Sequence, residues 1–282
     1  MTPLATRAAT AAVLVPVVLV ILFVLPPIAW ALFTLLVAVI GATEWSRLAG
    51  LGRAARVALV GAIVLLGAVL LVAAPPVPGH GWPDAVLLVA CGLATLFWLV
   101  VALPWVVRRW TPRARGTVAL CGAIVMTGCW IALVELQSRS PWLVFAAMAL
   151  VWIADTAAYF AGRTFGRRKL APLVSPGKSW EGVWGGLAAV AAYALALVPF
   201  ARAAGYEGPV GPLAIAVWIV FALALALLSV LGDLYESWLK RVAGVKDSGT
   251  LLPGHGGVLD RVDALIAAMP PAALAAHCFL EH

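Results

Sequence analysis

Asp260 and Asp263 close a stretch of this 282-residue chain in which acids, bases and glycines crowd together. Three positions apart on a helix, two carboxylates can be turned to one point, the oxygen-rich arrangement that suits Mg²⁺ shared with substrate phosphates. Ahead of them run Lys246-Asp247-Ser248-Gly249 and Pro253-Gly254-His255-Gly256-Gly257. Glycines there permit positive φ and close backbone approach, which a phosphate-cradling loop requires. Further upstream, Asp233, Glu236, Ser237 and Lys240 stand at i, i+3, i+4 and i+7, so a helix would gather them on one polar face. Lys240, Arg241, Lys246 and Arg261 would repel a free cation, so a metal fits here together with bound phosphate. His255, between glycines, suits a phosphate contact better than the role of a base. The combination reads as metal-assisted phosphate chemistry.

Two further places carry polar groups where apolar ones dominate. Asp155 lies within Trp152-Ile153-Ala154-Asp155-Thr156-Ala157-Ala158-Tyr159, and a carboxylate in an apolar helix costs several kcal/mol unless it meets a partner, a metal or water. Either a structural hydrogen bond or a functional role satisfies that requirement. Ser175-Pro176-Gly177-Lys178-Ser179-Trp180-Glu181 contains Gly-Lys-Ser but is no P-loop: the glycine required five positions before Gly177 is Pro172, and no strand is expected before it. Ser179 or its neighbour is expected to cap a helix with Glu181 in its first turn, offering an anion site beside Lys178.

The elements that must position these groups are transmembrane. The chain is 64% hydrophobic and 11% charged, against roughly a quarter charged in an average soluble chain. Its apolar residues fall in blocks near 9–25, 28–43, 57–74, 85–103, 117–134, 142–161, 183–201, 211–232 and 262–280, each about long enough to cross a bilayer. The expected fold is an all-α integral membrane protein of about nine transmembrane helices, one polytopic domain over 1–282. Residues 1–140 would form scaffold and lipid-facing helices, and 141–282 would carry the site. Cys91, Cys121, Cys129 and Cys278 lie inside apolar blocks without CxxC spacing, which points to neither a zinc site nor a disulfide framework.

With nine spans, alternate loops fall on opposite sides. Of the 19 lysines and arginines, all but Arg139 and Arg202 then share one side, the asymmetry expected of cytoplasmic loops. This places the N-terminus inside and the C-terminus outside. The net charge of +7 follows from topology, not from nucleic-acid binding. The two longest inside segments, 162–182 and 233–261, are the ones that hold the chemical groups, facing the compartment that supplies nucleoside triphosphates.

The run Ser237-x2-Lys240-Arg241-x4-Lys246-Asp247-x-Gly249-x3-Pro253-x-His255-Gly256-Gly257-x2-Asp260-Arg261-x-Asp263 resembles the signature of the phosphatidate cytidylyltransferases, or CDP-diacylglycerol synthases. Upstream, Asp155, Tyr159, Gly162, Phe165-Gly166, Lys169-Leu170-Ala171-Pro172 and Ser175 through Gly182 are similar to the bacterial members. The resemblance spans roughly residues 150–265. It implies transfer of the cytidylyl group of CTP to phosphatidic acid, giving CDP-diacylglycerol and pyrophosphate for phospholipid biosynthesis, with Mg²⁺ and a second, monovalent cation such as K⁺. It further implies a homodimer in the bacterial cytoplasmic (inner) membrane, surrounded by membrane lipids, with its site facing the cytoplasm.

By the same resemblance, Asp233, Asp260 and Asp263 would form the metal centre, with Asp155 as lesser support. Lys240, Arg241, Lys246 and Arg261 would neutralise phosphates, and Asp247 and Ser237 belong to the same motif as catalytic and substrate-binding positions. His255, Gly256 and Gly257 would shape the loop, and Lys178 and Ser179 would close the site. Two rivals use the same residues differently. An ion-coupled transporter would gather its charges near the midplane and show internal repeats, neither of which is seen. A CTP-dependent isoprenoid-alcohol kinase would need a base to activate a neutral hydroxyl. The Asp-Gly-x2-Ala-Arg pattern of a CDP-alcohol phosphotransferase is absent.

Overall fold

The computed structural model describes residues 3–110, 114–203, 208, 211–254 and 256–280. Eleven α-helices run in chain order: α1 (Pro3–Phe23), α2 (Pro27–Leu48), α3 (Arg53–Ala73), α4 (Asp84–Leu96), α5 (Leu103–Arg108), α6 (Arg115–Arg139), α7 (Pro141–Phe165), α8 (Trp180–Ala203), α9 (Pro212–Val242), α10 (Leu259–Val262) and α11 (Leu265–Leu280). A π-helical stretch, Phe97–Ala102, joins α4 to α5 so that residues 84–108 form one apolar rod. Proline stands in the first turn of α2, α7 and α9, where its missing N–H would be unpaired in any case.

The first eight apolar blocks foreseen in the sequence lie largely on helices. Among the described residues, seven helical segments are long and apolar enough to cross a membrane; two shorter apolar stretches, Ala12–Phe23 and Leu265–Phe279, fall at the two ends. Two boundaries differ from expectation. α9 does not stop with its apolar block at 232 but runs 31 residues to Val242, carrying the polar stripe from Asp233 to Lys240 as helix. The last block is broken: α10 is a single turn, Asp263 and Ala264 form a turn, and α11 begins at Leu265.

A further departure from an all-α fold is a two-stranded antiparallel hairpin, β1 (Lys169–Ala171) with β2 (Ser175–Ser179), between α7 and α8. A strand therefore does precede Gly-Lys-Ser, and Gly177 and Lys178 lie within β2 rather than in a phosphate loop. The hairpin's entry is held by Glu181, whose carboxylate accepts the amides of Arg167 at 3.1 Å and Arg168 at 3.2 Å.

α6 runs through the centre against α2, α4 and α11, buried along most of its length. Indole N–H groups tie these helices together through backbone carbonyls: Trp30 donates to Leu133, Trp130 to Ala31, Trp45 to Val118, Trp82 to Ile131 and Trp98 to Ile266, all at 2.9–3.1 Å. α7 and α8 approach through small residues. A side chain at Gly186 would stand 2.9 Å from the Ala154 carbonyl, and one at Gly182 would stand 2.8 Å from that of Ala158. At one end of the bundle, the buried Glu135 pairs with Arg139 at 2.7 Å and accepts the Trp82 amide at 2.8 Å, fixing the turn after α3.

Candidate active site

The C-terminal ends of α2, α7 and α9 meet the starts of α8 and α11 and the loop 243–258. Because α9 continues as helix past Gly232, its polar residues pair within the helix: Ser237 Oγ donates to Asp233 Oδ1 at 3.3 Å, and Lys240 Nζ meets Glu236 Oε2 at 2.5 Å. Gly232 lets α9 come against the turn before α11. A side chain there would run into the Asp263 carbonyl and lie 3.0 Å from the Ala267 methyl.

Two centres result. In the first, Lys178 from β2 places Nζ 2.7 Å from Asp233 Oδ2, both side chains partly open. Asp155 lies within the field of Lys178 and Asp233, and Asp263 within that of Asp233, Lys178 and Lys240. Asp233 is thus ion-paired with Lys178, and Asp155 and Asp263 are near enough to feel its charge. In the second, Lys240 Nζ also reaches Asp260 Oδ1 at 2.6 Å, and Asp260 Oδ2 accepts the Ser248 amide at 2.9 Å, the Ser248 hydroxyl at 3.0 Å and the Gly257 amide at 2.8 Å. Burial alone would raise the Asp260 carboxyl. The Lys240 ammonium, the Glu236 side chain and the Gly257 and Ser248 amides outweigh it and bring the pKa down to about 2.

Asp260 and Asp263, i and i+3, take different hydrogen-bond partners. Asp260 directs its oxygens to Lys240 and the loop, while Asp263 Oδ1 accepts the Ala264 amide at 2.9 Å and Asp263 lies in the field of Lys240 and Glu236 as well as that of Asp233 and Lys178. Among the described residues no three His, Cys, Asp or Glu side chains stand close enough to hold a metal as they are. Asp155, Asp233 and Asp263 are oxygen donors of the type Mg²⁺ takes, and they are the residues here that could hold it.

The remaining candidates are placed as follows. Ser179 is buried, and its hydroxyl accepts the Gly182 amide at 3.2 Å as the cap of α8, with Gly162 and Gly166 close by. Arg241 reaches the Val174 and Val245 carbonyls at 3.4 and 3.5 Å, away from the carboxylates. Lys246, Asp247 and Arg261 are exposed beside the loop. Gly256 adopts φ +83°, and a side chain there would lie 2.7 Å from Asp260 Oδ2; Gly257 offers its amide to the same atom. His255 lies outside the described residues.

Glu236 was placed on the polar face but given no role, and two participants were missed: Ser248 and above all Glu44. From α2, within the supposed scaffold region, the buried Glu44 accepts the Ser248 hydroxyl at 2.9 Å and the amides of Val258 at 3.2 Å and Leu259 at 2.8 Å. The block drawn at 28–43 ended one residue short of it. An acid so close to an apolar span was the available signal, by the same rule that singled out Asp155.

Fold and site together define a polytopic membrane protein that collects carboxylates and lysines, the groups of phosphate and metal chemistry, at one end of its bundle. The model of the cytidylyltransferase family matches residues 5–279, and the chain belongs to that family. It is 44% identical over 273 residues to a phosphatidate cytidylyltransferase of Pseudomonas aeruginosa, covering 94% of this chain and 93% of that protein. Phosphatidate cytidylyltransferases of Haemophilus influenzae and Staphylococcus aureus are 53% identical over 128 residues and 41% over 138 residues, each about half of this chain.

Proposed function

We propose that this chain transfers the cytidylyl group of CTP to phosphatidic acid, forming CDP-diacylglycerol and releasing pyrophosphate. The observation that carries this reading is the 44% identity over 94% of the chain with the Pseudomonas aeruginosa enzyme, joined to the paired lysine–carboxylate centres. A phosphate monoester has a second pKa near about 6, so at pH 7 phosphatidate is a dianionic nucleophile that needs no strong base. Its oxygen attacks the α-phosphorus of CTP, the bond to the β-phosphate oxygen breaks, and pyrophosphate leaves. The protein's task is to bring two polyanions together and stabilise the leaving group.

Lys178 and Lys240 reach into the site from opposite elements, and the exposed Lys246 and Arg261 rim it, a distribution suited to phosphates arriving from water. Asp155, Asp233 and Asp263 would hold Mg²⁺, which supplies charge neutralisation on the phosphate oxygens and the departing pyrophosphate. Lys178 would then exchange Asp233 for phosphate. Asp260 keeps Lys240 in place. A shallow apolar groove of about 340 Å³ on α7, lined by Ala149, Trp152, Ile153, Thr156 and Ala157, flanks Asp155 in sequence and supports lateral arrival of the lipid.

The reading includes nine spans with the N-terminus inside, because the short apolar stretches at the two ends complete the alternation that puts the basic loops on one side. The site then faces the cytoplasm of a bacterial inner membrane. The homodimer and a second, monovalent cation rest on the family resemblance alone. Purified protein given Mg²⁺ and CTP should convert phosphatidate to a cytidine lipid and leave polyprenol unchanged. Phosphorylation of polyprenol with no reaction of phosphatidate would overturn the assignment.

A further inference from the structure

Glu44 is 4% exposed on the last turns of α2, and its carboxylate enters the loop between α9 and α10. Its hydrogen-bond partners lie 204 to 215 residues away in the chain. Glu44 Oε1 accepts the Val258 amide, and Oε2 accepts both the Leu259 amide and the Ser248 hydroxyl. Two glycines make room for it. A side chain at Gly257 would lie 2.5 Å from Oε2, and one at Gly249 would overlap Oε1 and lie 3.3 Å from Gly257 Cα. The glycines at 249 and 257 therefore serve a carboxylate from another helix.

The contacts form a chain that ends in the site. Glu44 holds Ser248 and the turn into α10. The Ser248 and Gly257 amides hold Asp260 Oδ2, the one Ser248 hydroxyl proton lies between Glu44 Oε2 and Asp260 Oδ2, and Asp260 Oδ1 with Glu236 Oε2 holds the Lys240 ammonium. We infer that Glu44 is a positioning residue of the transferase: it clamps the glycine-rich loop so that Asp260 and Lys240 are held where the phosphates react. The loop clamp is independent of which reaction the site performs, whereas its catalytic consequence rests on the proposed cytidylyl transfer.

Glu44→Gln keeps the size but turns an NH₂ toward an N–H donor, so one loop amide loses its acceptor. Hydrogen–deuterium exchange over residues 248–260 of the full-length protein in detergent should then be at least about tenfold faster. The turnover number per folded enzyme should fall about 10- to 100-fold with KM for phosphatidate unchanged, the cost of misplacing a charged group by about an ångström. A contact that only stabilises the fold would lower yield and melting temperature but leave turnover per folded molecule at the wild-type value. Ser248→Ala, which removes a single hydroxyl, should shift exchange and turnover the same way by a smaller factor, and it serves if Glu44→Gln does not fold. Unchanged exchange in both variants, or faster exchange with wild-type turnover, overturns the inference. A wild-type enzyme that makes no cytidine lipid sinks the reaction instead, and the exchange rates still decide the clamp.

Discussion

At the scale of single residues, the two lysines divide the labour of the site. Lys178 is partly open and paired with an accessible aspartate, so substrate can compete for it. Lys240 is enclosed between Glu236, 1% exposed, and Asp260, 5% exposed, so its place is fixed. Lys240→Ala should destabilise the protein by about 3–5 kcal/mol, because the buried Asp260 carboxylate loses its cation and Glu236 its partner; a lowered midpoint in thermal unfolding of detergent-extracted protein checks this. Asp263→Asn should instead cut turnover by at least about 100-fold while leaving that midpoint near wild type, since Asp263 would help hold the Mg²⁺ that neutralises the phosphates. The pH dependence of Asp260 has a definite sign. Its carboxyl is lowered from 3.8 to about 2, so the stability it contributes is fully present above pH 4 and is lost as pH falls through 2. Melting measured down this range should show an acid limb that Asp260→Asn removes.

At the scale of elements, apolarity and helicity are different signals, and the site sits where they part. The apolar block of α9 ends at 232, yet the helix continues because Asp233 with Ser237 and Glu236 with Lys240 form i, i+4 pairs along it. That stripe was legible from spacing alone. The break between α10 and α11 was not, and it gives Asp260 and Asp263, three residues apart, different hydrogen-bond partners. Nor could local spacing reveal Glu44, whose partners are over 200 residues distant and whose own neighbours read as the end of a span. The close α7–α8 contact predicts that Gly186→Val, pressing a branched side chain on the Ala154 carbonyl, costs about 1–3 kcal/mol and shifts the melting midpoint accordingly.

At the scale of the whole molecule, composition located the long apolar helices and charge gives the proposed sidedness of the loops, while the packing that turns them into an enzyme lies in long-range contacts. The helix ends that build the site share one end of the bundle, and Glu135, Arg139 and the turn at Gly81 and Trp82 are held together apart from them. With Cys278 replaced by Ser, a cysteine at Lys246 should be labelled by an impermeant maleimide only after the membrane is opened, and one at Pro78 should be labelled in intact cells. The central claim is the transfer of a cytidylyl group to phosphatidate, and the position of the label decides it. With CTP carrying ³²P at the α-phosphate, the lipid fraction should become radioactive. With ³²P at the γ-phosphate, all label should leave in aqueous pyrophosphate. Lipid labelled from the γ-phosphate, with none from the α-phosphate, would contradict the account.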